Sequence, residues 1–234
     1  MCIMPTMRAE GPFVKGFIES SFLDWPGKVA SVVFLPGCNF RCPFCHNHAL
    51  VLGPDSIADI PLGTVLASLD TVKGWVDGVV VSGGEPTLHP DLEGMLTSIK
   101  QAGFAVKLDT NGSRPDVIRH LLGQRLIDAV AMDIKAPLDP AAYELAAGVP
   151  VDVGAIRQSI ALLMDSGLEV TFRATVVPGL HDEAAVTEMA RTVKGRLILQ
   201  EFRPDDALDP AYRLIKPFGP DVMGRLRDMA ASAR

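Results

Sequence analysis

The chain has 234 residues, 48% of them hydrophobic and 21% charged, a balance that suits a globular protein with a sizeable core and excludes a disordered or low-complexity scaffold. Its 22 Lys and Arg against 28 Asp and Glu leave a formal net charge of −6, which argues against general nucleic-acid binding. No apolar run approaches the ~18 residues of a membrane span, and residues 1–11 lack a charged-then-apolar leader pattern, so the expected setting is cytoplasmic.

Residues 1–14 are expected to be a disordered lead-in and residues 15–234 one domain, because no Ser/Gly tract, charge block or internal repeat divides them. Short apolar runs predict strands over 30–35, 78–81, 105–109, 129–134, 169–177 and 197–202. Several are nearly continuous in Val, Ile, Leu and Phe, the pattern of strands buried on both faces of a parallel sheet. Amphipathic segments between them predict helices over 62–73, 90–102, 114–122, 153–165 and 182–193, and a last helix over 220–230 closes the chain. Gly103 and Gly167 mark helix ends and Pro115 a first turn. Strands alternating with helices predict an α/β fold with right-handed crossovers. The spacing fits both a partial barrel and a doubly wound sheet.

Each predicted strand runs into an unusual polar or glycine-rich segment. Pro36 to Asn47 follows the first, Ser82-Gly83-Gly84-Glu85-Pro86 the second, Asp109-Thr110-Asn111-Gly112 the third, and Asp133-Ile134-Lys135 the fourth. The fifth carries Arg173 and the sixth ends Gln200-Glu201-Phe202. In parallel α/β folds these carboxyl ends share one face, where sites are built. Three of the four cysteines, Cys38, Cys42 and Cys45, fall within eight residues, with Cys2 apart. A disulfide framework would spread its cysteines along the chain. Clustered thiols suit an iron–sulfur cluster or, with His46 or His48 as a fourth ligand, a zinc ion. Cys42-Pro43-Phe44-Cys45 also has the spacing of a redox dithiol. A cubane cluster on three cysteines would leave one iron open.

Cys38-x3-Cys42-x2-Cys45, with Phe44 before the third cysteine, resembles the signature of the radical S-adenosylmethionine (SAM) superfamily. Gly83-Gly84-Glu85-Pro86 resembles that superfamily's second motif. Asp24-Trp25-Pro26-Gly27, Gly37-Cys38-Asn39, Cys45-His46-Asn47, Asp109-Thr110-Asn111-Gly112 and Asp133-Ile134-Lys135 resemble the glycyl-radical enzyme activases. Among these the likeness is greatest to the longer activating proteins of anaerobic ribonucleoside-triphosphate reductase, and it runs from about Lys15 to Phe202.

The resemblance implies a partial (β/α)6 barrel. It implies a [4Fe–4S] cluster on Cys38, Cys42 and Cys45, with SAM chelated at the open iron and cleaved reductively to a 5′-deoxyadenosyl radical. That radical would take a hydrogen from a glycine of the reductase, fed by a flavodoxin- or ferredoxin-type electron donor. No acid–base residue is expected, because the chemistry is the cofactor's. The Gly83-Gly84 backbone would lie along the methionyl amino group, so a side chain at Gly84 is expected to block SAM and spare the cluster. Asp133 and Lys135 would meet polar parts of SAM, and Arg173 a carboxylate. Asp109 and Asp133 would hold a monovalent cation. Phe44, His46, Glu85 and Asn111 join the cofactor-binding set. Phe202 stands where pyruvate formate-lyase activases carry a histidine, and its face would pack on adenine.

The alternatives are a pyruvate formate-lyase activase, a small-molecule radical SAM enzyme, and a non-catalytic iron–sulfur or zinc protein. An electron carrier takes four cysteines per cluster, and a structural zinc would not call for Gly83-Gly84 or Lys135 at other strand ends. His89, His120 and His181 read as helix-end or surface residues, and Asp24 to Gly27 as a tight turn.

Overall fold

The computed structural model describes residues 13–233. Seven strands form one sheet: β1 (Gly16–Ser21), β2 (Ala30–Leu35), β3 (Gly78–Gly83), β4 (Ala105–Thr110), β5 (Ala129–Asp133), β6 (Glu169–Val176) and β7 (Leu197–Glu201). Each strand lies beside its predecessor in the chain. β1 and β2 are antiparallel, and every later pair is parallel. The order never reverses, so the sheet has no switch point of the kind a doubly wound fold requires. Strands added in one direction by right-handed crossovers put the helices on one face and leave the other to curl inward. The helices are α1 (His48–Leu52), α2 (Leu62–Thr71), α3 (Leu92–Gln101), α4 (Pro115–Gly123), α5 (Pro140–Ala147), α6 (Val153–Asp165), α7 (Glu183–Thr192) and α8 (Pro220–Ser232).

Side chains alternate along each strand between these two faces. Leu108, Met132, Phe172 and Leu199 belong to the large core shared with helix residues such as Ile99, Ile118 and Ile160. A second, small core of Trp25, Ala30, Val32, Val80 and Ala129 fills the inside of the curl. Trp25 is wholly buried, and its indole nitrogen donates to Glu169 at 3.2 Å. Lys28 sits 4.1 Å from its ring centroid and pairs with Glu169 at 3.6 Å. Gly78 leaves the space it needs, since a Cβ there would fall 2.7 Å from the indole. Asp24 to Gly27 is therefore more than a turn: it plugs the amino end of the barrel. A buried Trp removes about 150–250 Å² from water, worth about 4–6 kcal/mol at the usual apolar coefficient.

The six expected strands are all present. The seventh, β1, was not anticipated because its sequence, Gly-Phe-Ile-Glu-Ser-Ser, is half polar, as befits an exposed edge. α5 was also missed, although Asp139 caps it by accepting from the Ala142 amide at 2.9 Å. Pro140 opens this helix, and Gly148 ends it in the left-handed region. Phe13–Val14 pairs with Ile60–Pro61, so order begins before the expected boundary at Lys15. Residues 1–12, with Cys2, lie outside the described residues. Among the described residues, no helix is long and apolar enough to cross a membrane.

Candidate active site

The carboxyl ends of the parallel strands surround one cavity of about 450 Å³. Phe34, Ser82, Asp109, Asp133, Arg173 and Gln200 reach it from six successive strands, which is possible only because the sheet curls. Cys38, Cys42 and Cys45 line it from the loop between β2 and α1, with Phe44 and His46 beside them.

That loop is held by its own polar groups. The Arg41 guanidinium donates to the carbonyls of Cys38 at 2.6 Å and Phe40 at 2.8 Å, and the Arg41 amide donates to Ala147 at the end of α5. The Asn47 side-chain amide donates to the Gly83 carbonyl at 2.8 Å. His46 and His48 bond Arg203 and Asp206, beyond β7, at 2.6 and 3.0 Å. With these groups engaged elsewhere, the thiols are left facing the cavity. The Cys38 sulfur accepts from the Phe40 amide at 3.3 Å, and the Asn111 amide nitrogen lies 3.9 Å from it.

Burial pushes the Cys42 thiol up to about 12 against the pull of Lys135. Burial also raises Cys38 and Cys45. Such thiols keep their protons until a metal displaces them. Among the described residues, no three His, Cys, Asp or Glu side chains gather tightly enough for a single metal ion. Cys38 and Cys45 both act on Cys42 electrostatically, and all three line the same cavity, so they form one donor set.

Gly83 and Gly84 line the cavity, as a backbone lying along SAM would require, and they have a second task. Gly83 has φ +120°, and a Cβ on it would lie 2.3 Å from the Leu35 carbonyl oxygen. A Cβ on Gly84 would fall 1.8 Å from the Gly37 carbonyl oxygen and 3.3 Å from the Cys38 nitrogen. The Gly84 amide donates to Leu35 and the Glu85 amide to Gly37, at 2.9 and 2.8 Å. The two glycines thus let the β3 end dock against the start of the cysteine loop, so a side chain at Gly84 cannot spare the cluster.

Glu85 does not stand in the cofactor-binding set expected for it. It is wholly buried and accepts from the Thr87 and Thr110 hydroxyls and the Asn111 amide. Burial raises its pKa while those bonds pull it down. It ties the β3 end to the β4 end and does not line the cavity. Phe202 is likewise turned away: β7 ends at Glu201, and Phe202 is buried edge-on against Tyr212 at 6.5 Å. Gln200, two residues earlier on the inner face, reaches the cavity instead, next to its register partner Thr175.

A charge network crosses the floor. Lys107 pairs with one oxygen of Asp109, and Arg173 with the other at 3.1 Å. Arg173 and Lys135 take the two oxygens of Asp133, at 2.9 and 3.1 Å. Burial alone would raise the Asp133 pKa, but the Arg173 and Lys135 charges outweigh it and hold it at about 2. Asp133 in turn keeps Lys135 above the ordinary lysine value despite burial. Every carboxylate oxygen already accepts from a cationic side chain, so the expected monovalent cation does not fit between Asp109 and Asp133.

Lys135 is set by two residues further along the chain, Tyr143 and His181. Its amide donates to the Tyr143 hydroxyl at 3.3 Å, and its carbonyl accepts from His181 Nε2 at 2.8 Å. His181 Nδ1 accepts from the Val177 amide at 2.9 Å, which fixes the neutral tautomer. His181 is 2% exposed, a buried brace and not a surface residue, whereas His120 does pair with Glu93 on the surface. Burial lowers the His181 pKa from its ordinary 6.5. A depressed pKa means this brace stabilises the fold fully above about pH 6.5 and loses its contribution as pH falls below that. Denaturant unfolding at about pH 8 and about pH 5 will show the stability advantage of wild type over His181→Gln narrowing at the lower pH.

The radical SAM superfamily profile matches residues 32–190, a span that holds the cysteine loop, the glycine motif and the charge network. The chain belongs to the radical SAM superfamily. Across 207 residues it is 35% identical to MJ1227 of Methanocaldococcus jannaschii, provisionally designated a glycyl-radical enzyme activating enzyme, covering 86% of this chain and 84% of that one. It is 32% identical to the pyruvate formate-lyase-activating enzyme of Streptococcus mutans, covering 72% of this chain and 68% of that one. The solved structure of TYW1 with a lysine-pyruvate adduct bound superposes with a TM-score of 0.59 at 15% identity, over 86% of this chain and 72% of that one. SuiB of Streptococcus suis, bound to its precursor peptide SuiA, gives 0.65 at 16% identity, over 84% of this chain and 44% of that one. These likenesses confirm the radical SAM barrel. Membership of the superfamily implies a [4Fe–4S] cluster and SAM, and a cavity lined by three desolvated thiols together with Lys135 and Arg173 has the chemistry to hold both.

Proposed function

We propose that this radical SAM enzyme activates a glycyl-radical enzyme, an anaerobic ribonucleoside-triphosphate reductase, by removing a hydrogen atom from one of its backbone glycines. The observation that carries the activase reading is the 35% identity to MJ1227 over 86% of the chain. Cys38, Cys42 and Cys45 would bind three irons. Lys135 and Arg173 would face the SAM carboxylate, held in place by Asp133 between them, with Phe44 and His46 on its remaining wall. Asn111 would hold the Cys38 sulfur, with Glu85 positioning Asn111 from behind. When bound, the cluster and SAM supply the electron and the 5′-deoxyadenosyl radical that takes the hydrogen.

The chain's own part is to orient these groups and exclude water. Trp25 and its surrounding apolar layer fill the amino end of the lumen, and Asp24 of the same turn lines the cavity. β1 and β7 end the sheet unpaired with one another, and that open side is where a glycine-bearing loop would enter. Breaking a glycine Cα–H bond leaves a radical shared with the flanking amide and carbonyl, so no general base is required. A flavodoxin- or ferredoxin-type donor, a cytoplasmic setting and a single radical SAM domain over residues 15–234 complete the proposal. The likeness to the Streptococcus mutans enzyme supports a second reading, activation of pyruvate formate-lyase.

Anaerobic mixing of reduced enzyme, SAM and each candidate partner, followed by electron paramagnetic resonance, tests the reading. A glycyl doublet on the reductase is expected. A doublet on formate-lyase alone moves the assignment to the second reading, and SAM cleavage with neither doublet points to a small-molecule substrate.

A further inference from the structure

Lys107 is a lysine in a layer of the barrel interior that is otherwise apolar. It lies on β4 in register with Val80 on one side and Ala129 on the other, both in the inner core with Trp25. It is 4% exposed and does not line the cavity, whereas Asp109, two residues on along the same strand face, does. The ammonium therefore stands behind Asp109 and pairs with it from the closed side. Arg173 holds the other Asp109 oxygen at 3.1 Å, and Ser82 lies 3.5 Å from that same atom. Three cationic side chains, Lys107, Arg173 and Lys135, surround two carboxylates. A free alkali ion entering here would meet a net positive charge and oxygens that are already bonded.

A buried ammonium is costly, and a well-packed apolar residue at such a position is often neutral or stabilising. Its retention makes sense where the neighbouring carboxylate must be held fixed at the edge of a binding cavity. We propose that Lys107 is a built-in counter-cation: its ammonium fixes Asp109 so that the site binds SAM without a bound alkali ion. A tethered ammonium loses no translational freedom when the site forms, and it is present whatever the salt around the protein. Lys107 is a positioning residue, acting through Asp109. The inference rests on SAM binding at this site and not on which protein is activated.

The test compares SAM affinity of the reconstituted enzyme in potassium, sodium and choline chloride at one ionic strength. Choline is too large to enter the floor. Wild type should bind SAM equally in all three, within about twofold. Lys107→Met should bind weakly in choline and recover by about tenfold or more in potassium or sodium. Thermal unfolding of Lys107→Met without cluster or SAM should likewise rise by about 2–4 °C in potassium over choline, with no such rise for wild type. Wild-type binding that tightens tenfold with an alkali ion overturns the proposal. So does a folded Lys107→Met that responds to the three salts as wild type does. Should Lys107→Met fail to fold, the wild-type salt comparison decides alone. A glycyl radical that forms on the wrong partner leaves these affinities untouched, so this failure and that of the activase reading are separable.

Discussion

Replacing Cys42 by alanine will remove the iron–sulfur cluster and, with it, SAM cleavage, while leaving the fold standing. Cys42 is the most buried of the three thiols, 7% exposed, and lies in the main core. Alanine fits its space with a small loss of packing. Two remaining thiols, Cys38 and Cys45, cannot hold a cluster that three were placed to hold. Partners outside a metal's direct ligands already cost about 10–100-fold in affinity or activity when removed, so loss of a ligand should exceed that. Iron and sulfide analysis after anaerobic reconstitution should fall from about four of each per chain to a small remainder. Circular dichroism should be unchanged. Cys2→Ser, outside the cluster loop, should alter neither.

A single methyl group at Gly84 should be as damaging. The added Cβ would sit 1.8 Å from one backbone oxygen and 2.6 Å from its carbon, both of Gly37. Backbone cannot swing aside as a side chain can, so the β3 end and the cysteine loop must part. The Glu85 amide then loses Gly37, and Asn47 loses its place on Gly83. Gly84→Ala should therefore lower iron content and SAM cleavage together. Gly63→Ala is the matched control, because Gly63 lies in α2 with nothing within 4 Å of an added Cβ. There the methyl should leave the cluster intact and raise stability by up to about 1 kcal/mol through helix propensity.

The parallel strands were legible because burial on both faces writes itself as unbroken apolar runs, as in Ala30 to Leu35. α6 was legible from its period and from Gly167 beyond its end, while Asp152, which caps its first turn, is a signal the structure adds. β1 was not, since an edge strand keeps one face polar, and α5 was obscured by its alanines despite Asp139, Pro140 and Gly148. The cluster loop and the strand-end residues Asp109, Asp133, Lys135 and Arg173 were readable because each motif is local. Roles that depend on partners far along the chain were hidden. Trp25 meets Glu169 across 144 positions, and His181 meets the Lys135 carbonyl across 46. Glu85 was placed beside the ligand because its motif borders the site, yet its hydrogen bonds turn it inward. Lys107 carried a readable signal: a lysine two residues before Asp109 on one strand shares its face.

The most direct test of the account is whether the reconstituted, reduced enzyme cleaves SAM to 5′-deoxyadenosine and methionine, followed by chromatography with mass detection. The account predicts both products, made only when Cys38, Cys42 and Cys45 are all present. A chain that takes up zinc stoichiometrically at those cysteines, and releases no 5′-deoxyadenosine under any reducing condition, would contradict it.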